Sequence, residues 1–200
     1  MLFLQVDKDK AFLSSDCQLF LLDLPSIKIQ QTWLFESCII STKLSRNFLV
    51  VCCQNSLKLI ELAHCCLHEV SVELSNFQSM ECVEFEDFLH ICSVSSSILN
   101  YIAFDKNCKS FKHQSHQIKV TSAICCSSEE GFRIICSSDD EDVFLKELLY
   151  SMTKNTLILQ SVIENVVLSP INQILYSSNC SLLLMRSLNV ISFWEIERFL

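Results

Sequence analysis

The densest set of groups that could do chemistry lies in AHCCLHE, where His64, Cys65, Cys66 and His68 place two imidazoles and two thiols close together. Zinc takes such ligands in tetrahedral sites. On a continuing strand, residues 64, 66 and 68 share a face. No second ligand pair at zinc spacing and no CxxC stands nearby. The stretch is therefore read as a loop with exposed imidazoles, and no metal site is assigned. The second candidate is the run Asp139, Asp140, Glu141 and Asp142 in FRIICSSDDEDVFLKEL. Calcium requires spaced oxygen ligands and a glycine at its sharp turn. Contiguous acids supply neither, so a solvated turn between two strands is expected.

Nucleophilic catalysis needs a Ser or Cys beside a base. With 13 cysteines and 5 histidines chance pairings are easy to imagine, but none has a specific spacing. There is no nucleophile elbow, and a single glycine, Gly131, cannot build a phosphate-cradling loop. No catalytic residue and no cofactor are assigned. The stretch KSFKH at 109–113 interleaves lysines with an aromatic, which more often makes a solvated loop than a base-stacking platform. The balance of 15 basic and 23 acidic residues, net −8, disfavours direct nucleic-acid binding, which draws its affinity from clustered Lys and Arg.

The elements that would position these groups read as strands. Alternating apolar and polar residues give a period of two in paired runs such as FLVVCC then QNSLKLIEL, LHICSV then SSSILNYIAF, and FRIICSS then DDEDVFLKEL. Cysteine fills inward positions there as a small hydrophobe. The start MLFLQVDKDK has only a short apolar run, so no signal peptide is read. The cysteines are expected to be reduced, in the cytoplasm or nucleus. Residues 165–185 carry no charge and are long enough to span a bilayer. Pro170, Gln173 and the run Ser177, Ser178, Asn179 argue instead for two buried strands and a turn, with no membrane contact. With so little glycine, Asn and Asp are expected at or near the turns, among them Asn55, Asn100, Asn107, Asp140, Asn172, Asn179 and Asn189.

Five of these strands recur with a period. CQLFLLDL, NSLKLIEL, SILNYIAF, DVFLKEL and NVISFWEI close at Leu24, Leu62, Phe104, Leu148 and Ile196, spaced by 38, 42, 44 and 48 positions. Roughly 40 to 45 residues is the length of a four-stranded propeller blade. The period therefore predicts an all-β, β-propeller-like array of about five four-stranded blades, in one domain over residues 1–200.

The unit from His116 to Leu148, HQIKVTSAICCSSEEGFRIICSSDDEDVFLKEL, resembles a degenerate WD repeat. A histidine precedes the first inner strand, a Ser-rich strand ends in an acidic turn, and a last strand follows. The final unit resembles the same pattern through Trp194, Glu195 and Ile196 at its close. The other units carry Leu22, Asp23, Leu24 and Ile60, Glu61, Leu62 there. The resemblance implies that Asp140 takes the place of the family's structural aspartate, accepting hydrogen bonds from backbone amides and from the histidine, here His116. His116, Asp140, Trp194 and Glu195 would then be structural turn and blade-closing residues. The pattern lacks a Gly-His dipeptide and a Trp-Asp pair, and Lys146 stands where an aromatic is usual.

A seven-bladed ring at roughly 42 residues per blade would need about 300 residues. The period thus implies either a shortened chain or an open arc completed by other proteins through β-augmentation. What the resemblance implies for function is a non-enzymatic protein–protein interaction scaffold within a multi-protein complex. The alternative it allows is a non-catalytic subunit of an RNA-modifying or DNA-repair enzyme complex.

Overall fold

In the computed structural model the described residues are 2–5, 9–72, 74, 76–95, 98–116, 120–128, 131–138, 145–151, 156–163, 171–177, 182–187 and 191–195. Among them all regular structure is β. The first sheet holds β1 (Leu2–Gln5), β2 (Lys10–Ser15), β3 (Gln18–Asp23) and β4 (Lys28–Leu34). The second holds β5 (Ile39–Leu44), β6 (Phe48–Cys53), β7 (Ser56–Glu61) and β8 (Leu67–Ser71). The third holds β9 (Phe77–Phe85), β10 (Phe88–Ser95), β11 (Ile98–Asp105) and β12 (Ser110–His116). The fourth holds β13 (Val120–Ser128), β14 (Gly131–Ser138), β15 (Leu145–Ser151) and β16 (Thr156–Ile163). The fifth holds β17 (Ile171–Ser177), β18 (Leu182–Ser187) and β19 (Ile191–Glu195). Every sheet is an antiparallel meander in chain order, and the chain divides into two compact units, Met1–Ser75 and Asn76–Leu200.

Burial within a sheet follows position. In the second and third sheets the middle strands are covered on both faces: all six residues of FLVVCC in β6 are buried, and β7, β10 and β11 are nearly so. A strand covered on both faces reads as a continuous apolar run, because neither side-chain direction meets water. The outer strands β8 and β12 carry a mixture of exposed and half-buried residues. Sheets therefore stack through their middles. In the first unit Phe12, Leu19, Leu21, Trp33 and Phe35 pack with Leu49, Val51, Cys53 and Ile60 of the second sheet. In the second unit Cys92, Val94, Leu99, Tyr101 and Ala103 pack with Ala123, Ile134 and Cys136 of the fourth. There the first strands adjoin one another, with β13 lying against both β9 and β17.

The periodic strands of the sequence are the third strands β3, β7, β11, β15 and β19. Leu24 and Leu62 lie one residue beyond theirs, Phe104 and Leu148 lie inside, and Ile196 falls outside the described residues. The expectation of four strands per blade holds in four sheets. The fifth has three among the described residues, and the chain after Glu195 lies outside them. The uncharged stretch 165–185 contains β17 and most of β18, paired antiparallel with Ser177 opposite Leu182 and with Ile174 and Met185 buried. No described helix is long and apolar enough to cross a membrane.

The turns depart from expectation. The described non-glycine residues with positive φ are Asp16, Ile27, Cys65, Asn76, Glu86 and Lys109. Asn55 and Asn107 do lie in turns, whereas Asn100 and Asn172 sit inside strands β11 and β17, and Asp140, Asn179 and Asn189 lie outside the described residues. Asn100 is buried, and a strand accepts it because its amide finds Ser95 Oγ at 3.3 Å and Ser115 Oγ at 2.8 Å. The left-handed positions fall to whatever residue the loop length places there.

Candidate interaction surface

The fourth strands form the sheet margins, and an edge strand offers unpaired N–H and C=O groups to any further strand. Charge along an edge discourages such pairing. β12 carries Lys112 within the strand, and β8 carries Glu69. In β4 the one charged residue is Lys28, at its start, leaving Ile29, Gln30, Gln31, Thr32, Trp33 and Leu34 without charge. Trp33 turns inward against Phe12, ring centroids 6.0 Å apart. Ile27, Ile29 and Leu34 stand out, 85%, 57% and 73% exposed. A register shift between Leu21 and Leu22 leaves Gln30 without a partner on β3, after which Gln31 to Leu34 pair regularly. No described strand pairs with the outer edge of β4. The segment can accept an extended chain through main-chain hydrogen bonds, with its apolar side chains giving selectivity.

A polar cavity of about 330 Å³ lies in the same unit, lined by Glu36, Ser37, Asn55, Ser56, Lys58, Glu69 and Ser71. Lys58 is buried and reaches Glu69 Oε1 at 2.5 Å, its ammonium 5.5 Å from the centre of the Phe35 ring. The Lys58 hydrogen bond, helped by Ser56, holds the Glu69 carboxyl below its ordinary range against the opposing effect of burial. One ammonium is thus matched by Glu69, and Glu36 remains in excess, so the cavity suits a hydrogen-bond donor better than an anion.

One described nucleophile and base meet in the third sheet. Ser115 Oγ is 3.2 Å from His113 Nε2, and both approach Asn100 Oδ1, at 2.8 and 3.3 Å. Burial pushes His113 down. A catalytic orienter must hold the far ring nitrogen, Nδ1. Here Asn100 meets the same nitrogen as the serine, which makes a cross-strand polar network and not a triad.

Of the cysteine–histidine cluster, His64, Cys65 and Cys66 lie in the connection between β7 and β8, whereas His68 lies in β8 opposite Leu59 and is half-buried, so the expected loop with exposed imidazoles holds for His64 and not for His68. Cys65 has φ 54° and its N–H donates to Glu61 O at 2.7 Å, while Glu61 N–H donates to Cys66 O at 2.9 Å. His64 is exposed, and Cys66 Sγ turns back to the His64 carbonyl at 3.8 Å. Among the described residues no three His, Cys, Asp or Glu side chains are gathered as a metal site.

The residues singled out in the sequence are spread over the second unit. His116 ends β12 opposite Leu99, four positions before β13, and its buried Nε2 has no hydrogen-bond partner among the described residues. Burial pushes it down. Asp140 and the rest of the acidic run lie outside the described residues, between β14 and β15, which pair antiparallel with Ser137 opposite Leu145. Trp194 and Glu195 lie on β19 opposite Leu183 and Leu182.

Sequence reading missed what the acids near the third-strand ends do. Asp105 Oδ1 accepts the N–H of Asn107 at 2.8 Å and of Cys108 at 2.9 Å, and the Cys108 bond foremost holds its carboxyl below the ordinary range. Asp23 Oδ2 accepts the N–H of Ser26 at 3.1 Å, and the Ser26 hydroxyl as well. The available signal was the Asp-x-x-Ser and Asp-x-Asn spacing, which marks Asx-type turns.

No protein-family model matches the chain, and no curated protein matches its sequence. Solved structures do match its coordinates. KlAtg21, solved in complex with the coiled-coil of AgAtg16, has a TM-score of 0.68 at 14% identity over 94% of this chain and 63% of its own. Kluyveromyces lactis Hsv2 has a TM-score of 0.67 at 7% identity over 98% of this chain and 59% of its own. Both are β-propeller proteins. This chain has a β-propeller fold. Dihydro-heme d1 dehydrogenase NirN, solved in complex with DHE, also matches at 0.68 and 13% identity, over 95% of this chain and 42% of its own. The propeller chain thus spans about three fifths or less of the length of these proteins, and one of the three is an enzyme. At these identities the likeness speaks for the propeller fold alone.

Proposed function

We propose that this propeller is a non-enzymatic protein–protein interaction scaffold of the WD-repeat kind, in the cytoplasm or nucleus, and that residues 1–200 act as one propeller domain. The observation that carries the reading is β4, an outer strand without charge beyond Lys28 at its start, with Ile29 and Leu34 exposed on an otherwise acidic chain. Its occupant would be an extended segment of a partner protein, added to the first sheet as a further strand. KlAtg21, captured with a coiled-coil, supports protein partners for propellers in general. His116, at the end of the third blade, and Asp140, in the fourth, would fix the turn, and Trp194 with Glu195 would close the fifth.

The test is affinity capture at near-physiological salt with the whole chain and with an Ile29→Lys, Leu34→Lys variant. Both positions are exposed, so the fold tolerates the change. A partner retained by the parent and lost by the variant supports the reading. Equal retention moves the interface off β4, and no stable partner at all refutes the scaffold. An RNA-modifying or DNA-repair enzyme among the retained proteins would identify the complex.

A further inference from the structure

Cys17 and Cys38 are 21 positions apart in sequence, yet Cys17 Sγ donates to Cys38 Sγ at 3.4 Å. Their meeting is built into the backbone. Cys17 sits in the β2–β3 turn, where its carbonyl accepts the N–H of Phe35 at 2.9 Å. One residue earlier, the Asp16 carbonyl accepts the N–H of Ile39 at 2.7 Å. These two bonds bracket the pair and hold the turn against the segment joining β4 to β5. Cys38 is exposed and Cys17 half-buried, so reagents reach them. Cys52, Cys53, Cys92 and Cys136 are buried, and burial pushes the Cys52 thiol up to about 12.

We propose that Cys17 and Cys38 are a modification site, a dithiol that closes to a reversible disulfide by exchange with a low-molecular-weight disulfide such as oxidised glutathione. An S–S bond of about 2.05 Å requires the sulfurs to approach by roughly 1.4 Å, within reach of side-chain rotation. The exposed Cys38, as thiolate, attacks one sulfur of the external disulfide and expels a thiolate, which takes up a proton. Cys17, whose thiol is pushed up chiefly by its hydrogen bond to Cys38, stays protonated until this step. It then loses its proton, attacks the Cys38 sulfur and expels the second thiolate. Two protein thiols become one disulfide, and one external disulfide becomes two thiols.

The loop so closed contains β3 and β4 entire. Oxidation therefore staples the exposed edge strand to its own blade. This goes beyond the scaffold reading and stands without it, since the chemistry is read on the isolated chain.

The experiment treats the whole chain with oxidised glutathione and maps linked peptides under non-reducing conditions, folded and in urea. Expected are a Cys17–Cys38 peptide as the dominant link in the folded chain only, a Tm rise of about 5 °C that reductant reverses, and slower amide exchange in β4. Cys17→Ser and Cys38→Ser should each abolish all three. Glutathione adducts without the link, or a link no more frequent than in urea, overturn the site. A Tm rise or slowed β4 exchange that persists in Cys38→Ser overturns the stapling.

Discussion

His90 Nδ1 lies 2.7 Å from the hydroxyl of Tyr101 inside the third sheet, with both side chains almost wholly excluded from solvent. Register explains the meeting. His90 is opposite Ala103 and Tyr101 opposite Cys92, so the two are diagonal neighbours on one face. Their rings stack, centroids 5.9 Å apart at 17°. Burial, with Lys106 adding to it, pushes His90 down to about 4.

This pair makes stability depend on pH. The unfolded chain protonates His90 near its ordinary value of about 6.5, the folded chain only near 4. Between those values the unfolded state binds more protons. The stabilisation is therefore whole above about 6.5 and is lost as pH falls toward 4, on the order of 3 kcal/mol in all. His113 and His116, also pushed down by burial, act with the same sign. Urea unfolding from about pH 7 to pH 4 should show the fall, and a His90→Phe, Tyr101→Phe variant should show a shallower one. Parallel slopes in the two proteins would assign the effect elsewhere.

Ile27 has φ 53° in the β3–β4 turn and is 85% exposed. A β-branched residue there clashes with its own backbone and gains no burial to offset the strain. Ile27→Asn should raise stability by about 1 kcal/mol, read as a higher urea midpoint at unchanged m. A lower midpoint would show that Ile27 contributes contacts that outweigh its strain.

Lys58 and Glu69 should respond unequally to truncation. Lys58 is nearly sealed, with its side chain 8% exposed, whereas that of Glu69 is 49% exposed. Lys58→Met keeps the stem and lets the carboxylate rehydrate, costing about 1 kcal/mol. Glu69→Ala strands an ammonium in the interior and should cost about 2 to 3 kcal/mol. Equal losses in thermal or urea unfolding would mean that the cavity's other acid, Glu36, takes over the lysine.

His116 and Asp140 can be tested by a double-mutant cycle to alanine. A hydrogen bond between them should give a coupling of about 1 kcal/mol. A coupling near zero would place the two side chains apart and leave Asp140 in its turn without the histidine.

What the chain determines by itself is the interior of each blade. Runs such as FLVVCC and FLHICSVS can be hidden only between two other layers, so their apolar content and period of about 40 residues already specify stacked, repeated sheets. The fourth strands were not legible in the same way. SFKHQSH in β12 and KIQQTWL in β4 are held by main-chain pairing to β11 and β3, which leaves little side-chain pattern to read. Turn residues were misjudged because loop length and register, not residue preference, placed Ile27 and Cys65 at left-handed positions. Tertiary structure alone decided the meetings across distance: Lys58 with Glu69 on neighbouring strands, Asn100 with His113 and Ser115, and Cys17 with Cys38 across the joining segment. Sequence spacing carries the apolar period because burial is repeated in every blade. It carries no trace of these pairs, because each depends on a register or a backbone hydrogen bond formed once.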